Sequence, residues 1–409
     1  MLERTTRWGL TSLAIGSIVG AAASFGPTSA GASSAATIKV GIVEDLSGSS
    51  SVLGVPEYHG AQLAVSEINA AGGIKALGGA KLQLVPFDTA SSPNNGITEA
   101  QAAVSAGVSA VIGGENSDTV LAGSNVTERA GIPWLNTGGT ANSLLTRGYK
   151  GIFTIDFDTT QFAEGWLSAV QKAASVQGIK SPTLVLPYSE SSYGNEFLGE
   201  LQKLVHGSTS IKTSFSYPVT TTDFSTVAAR AVNGGGSAIL NLGYPNDGVA
   251  LTTLFGSQSK PNATTKVVGT AGTACGQLSS LGKQADGTLC LFTLSPGSKG
   301  TTAYYDAQYK AFQAKFSTIP TEWNGFTAVK FLVAALQKAK STKGSALDSA
   351  LHHVTLTKAN GDIYGHSMSF TKTGSITYWP VIVGQIQNGT VASVFPQAFS
   401  SATILPFGG

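Results

Sequence analysis

The sequence is poor in charge. Of its 409 residues only 12% are Asp, Glu, Lys or Arg, about half the usual share. The formal net charge is +2, and basic residues form no run along the chain. Nucleic acids and anionic membranes bind basic surfaces, and the sequence shows no basic patch that would bind either of them. We therefore expect no nucleic-acid partner.

Cysteine is almost absent, since the chain has only Cys275 and Cys290. Two cysteines this close in an exported protein are expected to form a disulfide. The alternative is a pair of buried free thiols. Neither cysteine has a His or an acidic residue at metal-site spacing, so we expect no metal.

Recognisable catalytic motifs are also missing. The five histidines are scattered, and the sequence has no H-E-x-x-H, G-x-S-x-G, Walker A or G-x-G-x-x-G pattern. Paired acids occur at Glu44–Asp45 and at Asp156 with Asp158. Acids of this kind can be catalytic, but solvent-exposed acids in loops are the simpler explanation for both pairs. We expect a protein that is not an enzyme and needs no cofactor. A hydrolase built from dispersed residues stays open as an alternative.

The N-terminus resembles a secretory signal peptide. Arg4 and Arg7 precede a weakly apolar run, and small residues follow it, which is the order of a cleavable signal. We assign residues 1–32 to this signal, with cleavage after Ala30 or Ala32; an uncleaved anchor is the alternative. The sequence therefore predicts export to the periplasm or the cell-wall space. It has no cysteine at the cleavage site for a lipid anchor.

From Thr37 onward, apolar strands alternate with amphipathic helices. Such alternation predicts parallel sheets with helices on both faces. Two successive α/β series indicate an α/β protein of two Rossmann-like lobes. The tail from Ser367 to about Phe395 has hairpin-like turns and predicts closing strands.

The stretch "VIGGENSDTVLAGSN" (Val111–Asn125) runs from a strand into a polar turn and then a helix. We expect Ser117 to be the N-cap of a helix over Asp118–Arg129. A capping serine needs no ligand. However, a loop at the carboxyl end of a parallel strand is where such folds bind ligands. The hydroxyl and free N–H groups at a helix N-terminus would suit a small carboxylate.

Several segments, taken in order, resemble the type I periplasmic solute-binding proteins of the branched-chain amino-acid and amide branch, which serve ABC importers. The "EINAAGGI" segment and the order of the blocks carry most of the specificity. The segments are "IKVGIVEDLSGSSSVLG", "GAQLAVSEINAAGGI", "LVPFDTASSPNNGITEA", "VSAVIGGENSDTVLAGSNVTERAGIPWLNTGGTANSLLTRGY", "YGNEFLGEL", "TDFSTVAARAV" and "FTAVKFLVAAL".

The resemblance implies two lobes joined by three crossover strands, with a solute held between them by hinge closure. It places lobe 1 at 37–156 plus about 294–378. Lobe 2 takes 157–293 plus about 379–409.

In the first lobe, the resemblance implies two loops that hold a solute carboxylate. Ser117 matches the hydroxyl of the first loop. Gly138 and Thr140, in "NTGGTAN", match the backbone and hydroxyl contacts of the second. Leu53 stands where relatives often place an aromatic residue near the solute side chain.

In the second lobe, Tyr193 and Tyr244 match the family's aromatic positions. Thr159, or Asp158 with a shift of one residue, falls at the position that usually helps to bind the solute amino group. These are expectations from the resemblance, not from spacing.

Ala271 departs from the family pattern, because relatives that bind α-amino acids usually carry an acid at this position. A buried ammonium group without a counter-charge would cost several kcal/mol. The departure argues against an ordinary zwitterionic amino acid unless Asp158 or Asp247 substitutes. An aromatic or aliphatic carboxylate, an amide or a urea-like solute would avoid the problem.

The expected function is therefore capture of a small polar solute and its delivery to an ABC permease, by a protein expected to be a monomer. A ligand-sensing component of a signalling system is the second hypothesis. A hydrolase on the same scaffold is the third.

Overall fold

The computed structural model describes residues 36–361 and 363–407. The segment assigned above to a signal peptide lies outside these residues. Among the described residues, no helix combines the length and the apolar character needed to cross a membrane.

The strands follow in chain order. They are β1 (Thr37–Glu44), β2 (Lys81–Asp88), β3 (Ala110–Ile112), β4 (Trp134–Asn136), β5 (Ile152–Thr154), β6 (Thr183–Ser189), β7 (Ser210–Tyr217), β8 (Ala238–Asn241), β9 (Val267–Ala274), β10 (Thr288–Leu291), β11 (Thr355–Leu356), β12 (Met368–Ser369), β13 (Val383–Gln387) and β14 (Thr390–Phe395).

The helices alternate with them. They are α1 (Ser51–Ala70), α2 (Pro93–Ser105), α3 (Ser117–Ala130), α4 (Ser143–Thr146), α5 (Thr159–Val176), α6 (Ser192–Leu204), α7 (Ser225–Asn233), α8 (Pro245–Ser257), α9 (Cys275–Ser279), α10 (Ala303–Phe316), α11 (Asn324–Ala339) and α12 (Gly344–Leu351).

The first lobe is built on a parallel five-stranded sheet of order β2-β1-β3-β4-β5. Ile42 and Val43 of β1 point to opposite faces and are 1% and 0% exposed, because a strand covered by helices on both faces buries residues in both directions. One face packs against α1, α10 and α11, and the apolar core there includes Phe312 and Phe326. On the other face, α2 and α3 cover a smaller core around Trp134.

The second lobe is built on a seven-stranded sheet of order β14-β13-β10-β9-β8-β6-β7. Strands β6 to β10 are parallel, whereas β13 is antiparallel to both β10 and β14. The hairpin between β13 and β14 turns at Asn388 and Gly389, which both have positive φ. The closing strands predicted for the tail are thus present as an antiparallel edge.

The chain passes between the two lobes three times, after β5, after β10 and after β12, which pairs with β11 in a separate two-stranded sheet. Residues after the second passage, from Leu294 to Ile376, pack into the core of the first lobe. The two-lobed α/β fold with three crossings confirms the predicted fold class. The lobe limits given above stay a prediction.

Cys275 and Cys290 form a disulfide with a Cα–Cα distance of 5.0 Å. The bond joins the first residue of α9 to β10 and lies in a small core with Leu278 and Ile386. Both cysteines are buried. The bond therefore fixes α9 against β10, an interior strand of the second sheet.

Candidate functional site

The loop after β3 approaches the cleft through two glycines. Gly113 and Gly114 have φ values of +126° and +99°, a backbone region that residues with a Cβ rarely adopt. The turn lets the chain leave the sheet sharply and start α3 at Ser117. Glu115 is thereby placed at the carboxyl edge of the first sheet, where parallel α/β folds bind ligands.

The cap of α3 differs from the expectation. The N-cap is Asn116, whose side chain accepts a hydrogen bond from the Asp118 N–H at 3.0 Å. Ser117 is the first helical residue instead, and its hydroxyl accepts from the Ala141 N–H at 3.3 Å. The prediction of Ser117 as N-cap was wrong by one residue, because Asn satisfies the exposed N–H groups as well as Ser does.

Glu44, the last residue of β1, ties the loops of this edge together. Its buried carboxylate accepts hydrogen bonds from the N–H groups of Asp45, Gly114 and Glu115 at 2.8 to 3.0 Å. The Thr137 hydroxyl adds a further bond at 3.1 Å. One side chain thus joins β1 to the loops that follow β3 and β4.

The loop after β4 lies directly against the Glu115 loop. The N–H groups of Gly138 and Gly139 both donate to the Gly114 carbonyl, at 3.2 and 2.9 Å. A Cβ on Gly138 would collide with the Glu115 carboxylate. Glycine is therefore required at position 138 by close approach.

A cavity lies between the two lobes at this edge, with a volume of about 40 Å³. Its walls come from both lobes and from the crossing segments. The lining residues are Leu53, Glu115, Ser117, Gly138, Thr140, Asp156, Phe157, Phe162, Tyr193, Gly243, Tyr244, Pro245, Gly272, Leu291 and Glu322.

The wall from the second lobe is largely aromatic. Tyr193 and Tyr244 have ring centroids 5.6 Å apart, and Phe157 stacks on Phe162 at 4.2 Å. Tyr193 is 6% exposed, and its hydroxyl has no hydrogen-bond partner among the described residues. Burial therefore raises the pKa of Tyr193 well above its usual value.

The cavity brings together six residues named from the sequence. They are Leu53, Ser117, Gly138, Thr140, Tyr193 and Tyr244. Whether they bind a solute stays a prediction.

Four other residues named from the sequence lie outside the lining. Asp158 caps α5 and accepts from the Ser375 hydroxyl at 3.0 Å. Thr159 donates to the Thr140 carbonyl at 2.7 Å. Ala271 packs into the apolar core of the second lobe, while the next residue, Gly272, lines the cavity. Asp247 caps α8 and accepts from the Tyr217 hydroxyl at 3.0 Å.

Three acids that were not assigned to the site from the sequence line the cavity: Glu115, Asp156 and Glu322. The sequence positions of two of them could have indicated the site, because Glu115 lies in the loop after β3 and Asp156 follows β5. Glu322 precedes α11, far from any strand end in the sequence, and only the fold brings it here.

Burial raises the pKa of every one of these acids. Burial, followed by the charge of Glu322, raises the pKa values of Glu115 and Asp156 well above the usual carboxyl range. Burial raises the pKa of Glu322 to about 7 and that of Glu44 to about 8. The pKa of Glu57, also buried, shifts in the same direction. The carboxyl groups of the cleft therefore have pKa values that are raised by their surroundings.

Trp134 and Trp323 are core residues. Both are 0% exposed, and the Trp134 indole N–H donates to the Gly113 carbonyl at 2.8 Å. Among the described residues, no group of three or more His, Cys, Asp or Glu side chains is arranged to hold a metal ion.

Comparison with solved structures finds the same fold. A leucine-binding protein, LivK, from Thermotoga maritima superimposes with a TM-score of 0.71 at 20% identity, covering 88% of this chain and 98% of that one. A solute-binding protein from Rhodopseudomonas palustris, solved with 3,4-dihydroxybenzoic acid, gives 0.72 at 19% identity, covering 91% and 97%.

Sequence comparison identifies the family. A Leu/Ile/Val-binding protein homolog from Brucella melitensis is 27% identical over 403 aligned positions, which cover 91% of this chain and 95% of the relative. The family model described as "Periplasmic binding protein" matches residues 37–390. The chain therefore belongs to the periplasmic binding protein family.

Proposed function

We propose that this protein captures a small polar solute between its two lobes and delivers it to an ABC importer in the membrane. The observation that carries the proposal is the cavity between the lobes, which both lobes line and which contains buried polar atoms without partners among the described residues. The family consists of extracytoplasmic solute-binding proteins and not of enzymes. We further propose that the protein acts as a monomer.

The unpartnered atoms support a bound solute. The Thr140 hydroxyl and the Tyr193 hydroxyl line the cavity from opposite lobes, and each side chain is 6% exposed. Neither atom has a partner among the described residues. A buried hydroxyl left unbonded costs about 1–3 kcal/mol, and a solute that bonds both would offset that cost while closing the lobes.

A thermal-shift screen tests this function. Solutes of several classes are added one at a time: amino acids, amides, urea, amines and aromatic acids. A solute at about 100 times its dissociation constant adds roughly 2.7 kcal/mol to the free energy of unfolding. If no solute of any class raises the melting temperature, the proposed function is wrong.

A cavity-filling pair of variants locates the binding. Leu53→Trp places a large ring in the cavity, because Leu53 lines it and is 6% exposed. Val52→Trp is the matched control, since Val52 precedes it in α1 and is 40% exposed. We expect Leu53→Trp to abolish the solute-induced shift and Val52→Trp to retain it.

A further inference from the structure

The charge in the cavity is of one sign only. Three lining side chains are acids, namely Glu115, Asp156 and Glu322, and no lining residue is Lys, Arg or His. Their surroundings are acidic as well, because Glu44 and Glu57 both act on Glu115 through their charges. The site is therefore built to present negative charge, or protonated carboxyl groups, to whatever enters.

These acids have no basic partner within the described part of the chain. The three ion pairs found there lie elsewhere and join Lys203 to Glu200, Lys330 to Glu67 and His352 to Asp348. A buried acid without a counter-charge is costly, and proteins usually pair it or neutralise it. A positively charged group from outside the chain would supply the missing charge.

Several N–H groups beside Ser117 and Gly138 already donate to acceptors within the protein. Gly114 and Glu115 donate to Glu44, and Gly138 and Gly139 donate to the Gly114 carbonyl. The Ala141 N–H donates to the Ser117 hydroxyl. An anionic group at this end would meet few free N–H donors and the Glu115 carboxylate beside them.

The cavity contains oxygen atoms that can accept hydrogen bonds from the N–H groups of a solute. Glu115 Oε2 is buried and has no hydrogen-bond partner among the described residues. The Thr140 and Tyr193 hydroxyls, unpartnered as described above, can accept as well as donate. Asp156 is 3% exposed, lines the cavity and bonds the Phe157 N–H through one oxygen at 2.8 Å.

The remaining wall suits an organic cation. Phe157, Phe162, Tyr193 and Tyr244 present aromatic rings, and aromatic faces attract cations. The cavity has a volume of about 40 Å³, which favours a small solute.

We propose that the solute of this site is a small organic cation with N–H donors, of the guanidinium or short alkylammonium class, held by Glu115, Asp156 and Glu322. The inference rests on the proposed solute-binding function and narrows it. It replaces the expected carboxylate clamp around Ser117, Gly138 and Thr140 with a cation site.

Isothermal titration calorimetry with isosteric probes tests the charge. Guanidinium chloride and urea have nearly the same planar shape and differ in charge, and both are used at low millimolar concentration, far below denaturing levels. Methylammonium and ethylammonium chlorides extend the cation series, and potassium chloride controls for ionic strength. We expect at least one of the cations to bind about 10- to 100-fold more tightly than urea, the difference expected for charge-assisted hydrogen bonds.

Variants of the acids test the assignment. Asp156→Asn and Glu322→Gln are each expected to weaken binding of that cation about 10- to 100-fold. Glu164→Gln is the matched control, because Glu164 is exposed on α5, and it should leave the affinity unchanged. Melting curves without solute show whether each variant folds. If one of the two acid variants does not fold, the other still tests the assignment.

The outcomes separate this inference from the proposed function. If urea, an amide, leucine or isoleucine binds as tightly as the best cation, the inference is overturned while the solute-binding function stands. The inference is likewise overturned if a cation binds but both acid variants bind it normally. If no solute of any class binds, the proposed function falls and the inference falls with it.

Discussion

Replacing Glu322 with Gln should stabilise the solute-free protein at neutral pH. Gln has nearly the same shape, and its side-chain oxygen can still accept the hydrogen bond that the Asn324 amide donates to Glu322 at 2.8 Å. What the change removes is a buried carboxyl whose pKa burial raises from 4.5 to about 7.

The size of the effect follows from proton linkage. Between pH 4.5 and pH 7 the folded protein holds a proton on Glu322 that the unfolded chain releases, so stability falls as pH rises through this window. The loss is about 1.4 kcal/mol per pH unit, or ~3 kcal/mol in total. The Gln variant lacks this loss and should exceed the wild type by ~3 kcal/mol above pH 7, an increase of ~4 °C in melting temperature.

The assay is differential scanning calorimetry of both proteins without solute, at several pH values from about 4 to about 8. The two proteins should melt together at the acidic end and separate progressively as pH rises. Because Glu322 also acts on Asp156 and Glu115, the variant should reduce the pH dependence of the wild type without abolishing it. Glu164→Gln, on the surface, should follow the wild type throughout.

A variant that melts at the same temperature as the wild type at every pH would refute the reasoning, because Glu322 would then carry no buried charge. A variant less stable than the wild type at neutral pH would refute it too. The combination expected from the cation site is specific: greater stability without solute together with weaker solute binding.

Other predictions concern the same site and the framework around it. Binding of a cation should release protons from Glu115, Asp156 and Glu322, which have Glu44 and Glu57 as acidic neighbours, so the affinity for the cation should rise as pH increases toward about 8. Calorimetry in two buffers of different ionisation enthalpy measures the released protons. An affinity that does not depend on pH would contradict this prediction. Gly138→Ala should abolish solute binding, because its Cβ collides with the Glu115 carboxylate, whereas Gly199→Ala, in open space on α6, should not. Replacing both Cys275 and Cys290 with Ser should lower the free energy of unfolding by roughly 3 kcal/mol on the chain-entropy model, seen by denaturant titration, with no effect on solute affinity. Asn116→Ala should cost about 1 kcal/mol through loss of the α3 cap, and an unchanged midpoint would show that Ser117 takes over the cap.

The fold was predictable because hydrophobic periodicity fixes element type and order. The alternation predicted from Thr37 onward begins with β1 (Thr37–Glu44), and the closing strands predicted for the tail are β13 and β14. The wrong prediction concerns a helix boundary, where the identity of a single residue decides the outcome. Asn116 rather than Ser117 caps α3, and propensity alone does not separate two good capping residues that are adjacent.

The site was predictable only in part, for a related reason. Side chains alternate along a strand, so a shift of one residue reverses which face a residue occupies. Ala271 packs into the core and Gly272 lines the cavity, so at this position a shift of one residue decides which residue faces the cavity. The acids come from elsewhere, and Glu322 reaches the cleft through the second crossing of the chain, which no local pattern in the sequence reveals.

The hydrogen bonds of Glu44 have a consequence for the rate of solute exchange. Since one carboxyl group bonds β1, the loop after β3 and the loop after β4, we expect these three segments to move together. If neither loop opens alone, a solute held between the lobes as proposed would leave by separation of the lobes at the three crossing segments. We therefore expect substitutions in those segments to change the rates of solute association and dissociation.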